Sequence, residues 1–100
     1  MEKLFSYGTL RNREVQLELF GREVESRRDT LDGYAITPLE VGGEMHKLAV
    51  PDEEDSIRGR VLELTRDELA ACDLYEPGQY ERVEVTLASG ETAWAYVAAN

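Results

Sequence analysis

A carboxylate, Glu76, stands among apolar residues at the end of the second predicted helix. At about 100° per residue, Leu69, Cys72 and Glu76 fall within an arc of about 60° on one helix face. Burying an unpaired charge is costly, so a carboxylate on a core-facing stripe needs partners or a chemical role. Burial and the negative end of a helix both disfavour ionisation, which suits a general acid–base residue. Two other interpretations stay open: the side chain turns to water, or it forms a structural ion pair with Arg82.

A second candidate lies near the amino end, where the apolar run Leu4–Tyr7 meets Gly8. Aromatic and apolar residues predict a short first strand, and glycine permits a sharp turn close to a ligand. Successive N–H groups in such a turn can converge on an anion. The backbone of Tyr7, Gly8, Thr9 and Leu10 is therefore a candidate cradle for a carboxylate or an oxyanion. The alternative is that Gly8 merely ends the strand.

Other reactive residue types are sparse in this chain. One cysteine, Cys72, and one histidine, His46, make a zinc site or a cysteine mechanism improbable and exclude an intramolecular disulfide. Asp73 is predicted to be structural, bonding backbone or Tyr80. The acidic run between Pro51 and Ser56 is predicted to be a solvated turn and not a metal site. No glycine-rich phosphate-binding motif is present.

The predicted elements must bring Glu76 and the cradle together. Thr65 and Glu68 form a capping box at the start of the second helix, which Pro77 and Gly78 end near Tyr75. Before this helix, the sequence predicts a strand over Met1–Tyr7 and a helix capped by Asn12 and ended by Gly21. It then predicts one or two strands over 23–37 with a turn at Asp32-Gly33, a loop or broken strand over 38–44, and strands over Met45–Val50 and Gly59–Leu64. After the second helix, it predicts a hairpin of Arg82–Leu87 and Thr92–Ala98 around Ser89-Gly90.

Composition limits the class of protein. One hundred residues with 42% hydrophobic content predict a single domain, 1–100, with its own core. The net charge of −10, from 21 acidic and 11 basic residues, argues against nucleic-acid binding, which needs clustered Lys and Arg. No leader precedes the first strand and no apolar run reaches the length of a membrane span, so we expect a cytoplasmic protein without a membrane partner. The sequence does not indicate the oligomeric state.

Two segments, Leu4–Arg11 and Gly59–Arg82, together resemble the signatures of the γ-glutamylcyclotransferase-like family. In the second segment a strand leads into a helix ending Asp-x-x-Glu, followed by a Tyr-x-Arg strand start. The resemblance implies an α+β fold, a small mixed β-barrel flanked by short helices. This sequence departs from the family pattern at Pro77, where glycine commonly follows the glutamate, and has its glycine one place later.

The resemblance also implies an activity and roles for individual residues. Glu76 would be the general acid–base residue that cyclises a γ-glutamyl group to 5-oxoproline and releases an amine, with no metal or cofactor. The backbone of residues 7–10 would hold the small γ-glutamyl substrate, and Tyr80 and Arg82 would support the site. Two other functions stay open: a non-catalytic small-molecule binding module on the same fold, and another amide-cleaving or acyl-transfer enzyme.

Overall fold

The computed structural model describes residues 1–99 as one five-stranded sheet with two helices on one face. The elements in chain order are β1 (Glu2–Ser6), a 3₁₀ turn (Thr9–Arg11), α1 (Arg13–Phe20), β2 (Ser26–Val41), β3 (Glu44–Leu64), α2 (Arg66–Tyr75), β4 (Tyr80–Thr86) and β5 (Thr92–Ala98). The predicted α+β class is confirmed. Neither helix is long and apolar enough to cross a membrane.

Strand β1 occupies the centre of the sheet, in the spatial order β2-β3-β1-β5-β4. It pairs antiparallel with β3, where Ser6 lies opposite Arg60, and parallel with β5, where Leu4 lies opposite Trp94. All residues of β1 from Leu4 to Ser6 are buried. The loop that follows β1 therefore starts from the most enclosed strand of the fold, which gives the candidate cradle a rigid base.

The sheet is open, and the expected closed β-barrel is wrong. β2 and β4 are its two edges, and no strand ladder joins them within residues 1–99. The sheet curls enough for Ala88 N–H, just after β4, to donate to the carbonyl of Thr30 in β2 at 2.8 Å. The twist inherent in paired strands produces this curl, but closure needs a continuous ladder between the first and last strands.

Apolar clusters cover both faces of the sheet. The helix-side cluster packs Leu4, Leu62 and Leu64 against Leu69 and Cys72 of α2. The opposite cluster, inside the curl, contains Phe5, Tyr7, Leu31, Ala49, Ile57, Val61, Leu87, Ala93, Ala95 and Val97. Side chains alternate between the two faces along each strand, so β1 and β5 contribute to both clusters.

The capping box of α2 is confirmed. The Thr65 hydroxyl accepts from Glu68 N–H at 3.1 Å, and the Glu68 carboxylate accepts from Thr65 N–H at 2.8 Å. Arg22 also donates twice to Glu68, at 2.7 and 2.8 Å, and thereby ties α2 to the end of α1. The helix ends at Tyr75 as predicted, since Glu76 takes extended angles before Pro77.

Helix α1 begins and ends where expected, although one capping mechanism is wrong. Asn12 occupies the N-cap position, but its side chain makes no capping hydrogen bond. Gly21 adopts a left-handed conformation with φ 72° and donates its N–H to the Leu17 carbonyl at 2.9 Å. The glycine at this end satisfies an otherwise unpaired carbonyl of the last turn.

The region 26–64 is one long hairpin and not the several short strands that the sequence predicts. β2 and β3 pair along almost their whole length, and Gly42 and Gly43 form the turn with φ 58° and 83°. Asp32-Gly33 continues β2 at an irregularity in its pairing with β3 and does not form a turn. The pairing jumps there, from Asp32 opposite Ser56 to Tyr34 opposite Pro51, so residues 52–55 of the acidic run protrude opposite Gly33.

The carboxy-terminal hairpin is confirmed with small shifts of its boundaries. β4 starts at Tyr80, before the predicted Arg82, and ends at Thr86. Gly90 forms the turn with φ 92°. Trp94 and Tyr96 of β5 join the helix-side cluster, while the alternate residues of the strand join the opposite one.

Candidate functional site

A cavity of about 210 Å³ opens at the end of β1, between the 3₁₀ turn and the end of α2. It brings together Glu76, the four cradle residues and Tyr80, which are six of the seven predicted site residues. The full lining is Phe5, Ser6, Tyr7, Gly8, Thr9, Leu10, Arg11, Asn12, Met45, His46, Lys47, Glu76, Tyr80 and Tyr96. Arg82, the seventh predicted residue, does not line it.

Glu76 is half-buried in this cavity, and burial raises the pKa of its carboxyl from 4.5 to about 7. Its backbone N–H completes α2 by donating to the Cys72 carbonyl at 3.0 Å. Its carboxylate makes no hydrogen bond or ion pair within residues 1–99. A carboxyl with a pKa near neutrality can both accept and release a proton under physiological conditions.

Arg82 pairs with Asp73 and not with Glu76. Its Nε lies 2.9 Å from Asp73 Oδ1 in an ion pair, and its guanidinium lies 4.4 Å from the centre of the Trp94 ring. Asp73 also accepts from the Tyr96 hydroxyl at 2.6 Å, so the expected partner Tyr80 is wrong. Asp73 is structural, as predicted, and Arg82 reaches the cavity only indirectly, through Asp73 and Tyr96.

The cradle leaves backbone donors free. Thr9 and Leu10 open the 3₁₀ turn, and within the described chain their N–H groups have no hydrogen-bond partner. Gly8 N–H makes only a long 3.4 Å contact with Ser6 Oγ. The next two amides, of Arg11 and Asn12, are paired with the carbonyls of Gly8 and Thr9. Two adjacent free donors therefore border the cavity that contains Glu76.

Gly8 serves the cradle by its small size and not by its backbone angles. Its φ is −127°, which other residues also adopt. A Cβ at this position would meet no atom within 4 Å. The open space at Gly8 lets a ligand approach the backbone of the turn closely.

The side chains of the cradle residues anchor the turn from behind. The buried Tyr7 hydroxyl donates to the Tyr96 carbonyl at 2.6 Å and accepts from Ala49 N–H at 3.0 Å. Burial raises the pKa of this phenol, and the charges of Tyr80 and Glu76 raise it further. Thr9 Oγ1 and the Tyr75 hydroxyl share a hydrogen bond of 2.8 Å, which joins the turn to the end of α2.

A buried glutamine that the sequence analysis missed holds the carboxy-terminal side of the turn. Gln16 Nε2 donates to the Leu10 carbonyl at 2.9 Å, and its Oε1 accepts from Val24 N–H at 3.0 Å. Gln16 is only 3% exposed. A polar residue on the apolar side of a short helix is the signal that could have identified it.

The far wall of the cavity comes from the start of β3, where the sequence predicts a strand but not its position at the cavity. Met45, His46 and Lys47 line it, and the Tyr80 hydroxyl donates to the Lys47 carbonyl at 2.6 Å. Burial and the charge of Glu76 raise the pKa of Tyr80. These residues reach the cavity because β2 and β3 form one long hairpin, which local sequence did not reveal.

Cys72 is a core residue, as predicted. It is fully buried in the helix-side cluster, and burial together with the charges of Glu76 and Asp73 raises the pKa of its thiol to about 12. A neutral thiol is a poor nucleophile. No group of three or more His, Cys, Asp or Glu side chains in residues 1–99 is arranged to hold a metal ion.

Two proteins of Arabidopsis thaliana are similar in sequence to most of this chain. AIG2-like protein A of Arabidopsis thaliana is 33% identical over 86 residues, and the match covers 85% of this chain. AIG2-like protein B of the same plant is 31% identical over the same length. The chain spans about half the length of these curated relatives, 51% and 49%.

Among solved structures, a solution structure of a protein from Arabidopsis thaliana superposes with a TM-score of 0.84 at 27% identity, covering 99% of this chain and 69% of that one. A structure named gamma-glutamyl cyclotransferase superposes with a TM-score of 0.78 at 16% identity, covering 99% and 67%, and shows likeness of fold. The family model described as gamma-glutamyl cyclotransferase, AIG2-like, matches residues 4–100. The chain therefore belongs to the gamma-glutamyl cyclotransferase, AIG2-like family.

Proposed function

We propose that this protein cyclises a γ-glutamyl group to 5-oxoproline and releases the attached amine, with Glu76 as the general acid–base residue. The observation that carries the proposal is the shared cavity. An unpaired carboxyl with a pKa near 7 and two free backbone donors line the same space. Family membership supports the same class of activity.

The size of the cavity favours a small substrate group. At about 210 Å³ it is smaller than the roughly 300–1,000 Å³ of pockets that hold drug-sized ligands. A γ-glutamyl group is short, linear and polar, and it carries a carboxylate and an amine. The free N–H groups of Thr9 and Leu10 would bind its α-carboxylate or stabilise the oxyanion that forms on its γ-carbonyl.

The main contribution that the proposed reaction needs from the protein is proton transfer. The substrate's α-amine attacks its own γ-carbonyl carbon, so a C–N bond forms as a five-membered ring and the original amide C–N bond breaks. Attack within one molecule has the advantage of proximity. Glu76 accepts a proton from the attacking nitrogen and donates one to the departing nitrogen, which balances the step without another reactant.

Substitution of Glu76 tests this assignment. Glu76→Gln keeps the size of the side chain and removes the base, so the rate of 5-oxoproline release from γ-glutamyl amides should fall by about a hundredfold or more. Glu81→Gln is the control, because Glu81 is exposed on β4 outside the cavity. Undiminished turnover by the Glu76→Gln variant would show that Glu76 is not the catalyst.

Product analysis separates the other functions. Release of free glutamate in place of 5-oxoproline would identify an amide hydrolase that uses the same cavity. Binding without turnover by the wild-type protein would identify a non-catalytic module. In a non-catalytic module we expect Glu76 to be engaged in an ion pair with Arg82. In the described chain Arg82 pairs with Asp73 instead, which supports the catalytic proposal.

The proposal also covers the domain organisation, the location and the partners of the protein. We propose a single catalytic domain over residues 1–100 that acts in the cytoplasm on a small γ-glutamyl compound, without a nucleic-acid or membrane partner. The free amine among the products can be identified by mass spectrometry of a reaction mixture.

A further inference from the structure

A second groove, of about 550 Å³, lies beside the cavity and is rich in arginine. Arg11, Arg28, Arg58 and Arg60 line it together with Asp29, Thr30 and Gly59. We call it the arginine groove. The protein has a net charge of −10 and only 11 basic residues, so four arginines around one groove form a marked local concentration of positive charge.

The strand register places three of these arginines on one face. Arg28 of β2 lies directly opposite Arg60 of β3, and Thr30 lies opposite Arg58 in the next pair on that face. Like charges directly opposite each other destabilise a sheet. The arrangement therefore has an energetic cost that a bound anion would offset.

Carboxylates of the protein do not neutralise this groove. Ion pairs engage Lys3, Arg13, Arg22, Arg27 and Arg82 elsewhere in the fold. No ion pair within residues 1–99 includes an arginine of the groove. Asp29 also borders the groove, and its carboxylate, which accepts hydrogen bonds from Ser89 and from Thr30 N–H, places one negative charge against the four arginines, so the groove keeps a net positive charge. The guanidinium groups of Arg28 and Arg58 are thus available to a ligand.

The arginine groove adjoins the cavity that contains Glu76. Arg11 lines both, and its Nε donates to the Gly8 carbonyl at 3.1 Å, beside the free amides of the cradle. Ser6 lines the cavity and pairs with Arg60 across the β1–β3 ladder. A substrate whose γ-glutamyl end occupies the cavity can extend its other end into the groove.

We propose that the arginine groove binds a carboxylate or phosphate group on the amine portion of the substrate, so that γ-glutamyl compounds with an anionic leaving amine are preferred. Paired guanidinium groups bind carboxylate and phosphate oxygens with matching geometry. This inference rests on the cyclotransferase function proposed above. It adds the charge class of the leaving amine, which the cavity alone does not define.

Matched substrates test the preference. Three γ-glutamyl amides with leaving amines of similar length serve as substrates. The amide of 2-aminoethanol has a neutral hydroxyl at its far end, that of β-alanine has a carboxylate, and that of phosphoethanolamine has a phosphate. The kcat/KM of an anionic substrate should exceed that of the neutral one by about tenfold, and the excess should shrink in 1 M salt, which screens exposed charges. The better of the two anionic substrates identifies the anion, and equal kcat/KM for all three overturns the proposal.

Charge-matched variants test the location. The double variant Arg28→Gln/Arg58→Gln should lose about tenfold in kcat/KM for the anionic substrates and change less than twofold for the neutral one. The control, Arg13→Gln/Arg66→Gln, removes the same charge outside the groove and should keep the preference. Equal losses in the two variants would indicate a general field effect and overturn the assignment to the groove.

A binding measurement separates this inference from the proposed activity. If wild-type protein cyclises none of the three amides, the proposed function fails, and NMR titration of the arginine side chains then decides the anion site. Pyrophosphate and glutarate serve as probes. Saturable shifts of the Arg28 and Arg58 signals would support an anion site, and their absence would overturn it.

Discussion

At the scale of single residues, the proposed chemistry depends on the environment of Glu76. Its carboxyl is half-buried at the end of α2, has no partner in the described chain, and has a pKa of about 7. The other acids near the cavity have different roles, since Asp73 is held by Arg82 and Tyr96. Glu76 is thus left unpaired, as the proposed general base requires, while Asp73 joins the end of α2 to β4 and β5.

The raised pKa predicts the pH dependence of the reaction. Glu76 must be ionised to accept a proton, so kcat/KM should increase as pH rises through about 7 and not through the 4.5 of an ordinary glutamate. A pH profile of 5-oxoproline release measures this limb. A His46→Gln variant removes the one histidine of the sequence from the cavity wall and should keep the limb, because the limb is assigned to Glu76. Loss of the limb in that variant would assign it to His46.

At the scale of elements, the site is assembled where β1, the 3₁₀ turn, α2 and β3 meet. Close packing of β1 against β3 depends on Gly59. A Cβ added there would clash with the Ser6 carbonyl oxygen and lie 2.7 Å from Cζ of Phe5. The strand that carries the cradle can approach β3 closely only because this position has no side chain.

Substitution of Gly59 tests that packing. Gly59→Ala should destabilise the protein by about 1–3 kcal/mol, since the strands must separate to admit the methyl group. Urea unfolding followed by circular dichroism measures the free energy of unfolding. Gly78→Ala is the matched control, because a Cβ there meets no atom within 4 Å. Equal stability of the two variants would contradict the packing argument.

Prediction from sequence succeeded at this scale wherever the signal is local. The capping box at Thr65, the left-handed Gly21 and the turn at Gly90 are each specified by a few adjacent residues. The long β2–β3 hairpin was missed because Gly33 and the acidic run 52–55 are typical of turns. Pairing between distant residues kept the two strands continuous through this irregularity.

At the scale of the whole molecule, the burial of Glu76 affects stability as well as activity. A carboxyl whose pKa is about 7 when folded, against 4.5 when unfolded, binds its proton more tightly in the folded state. The contribution of the protonated Glu76 carboxyl to the free energy of unfolding is fully present below about pH 4.5 and is lost as pH rises through about 7. The burial of Glu76 therefore lowers the stability of the protein at neutral and alkaline pH, where the carboxyl is ionised.

This linkage predicts that Glu76→Gln is more stable than the wild type at pH 8, by up to about 3 kcal/mol. Below about pH 4.5 the advantage should disappear, because the wild-type carboxyl is then protonated in both states. Urea unfolding of both proteins at pH 8 and pH 4 measures the two differences. A pH-independent difference would mean that Glu76 is not desolvated in solution.

Local sequence was sufficient to predict the helix and turn boundaries around the candidate site and the family pattern, and it supplied the candidate residues that the proposed function uses. Each of these depends on neighbours within a few positions, or on motifs such as Tyr7–Leu10 and Asp73–Glu76. Long-range pairing decided the rest. The sheet is open, and His46 and Lys47 line the cavity. Arg82 forms its ion pair with Asp73, so Glu76 has no charged partner in the described chain. These outcomes depend on contacts between residues far apart in the chain, for which no short-range pattern exists.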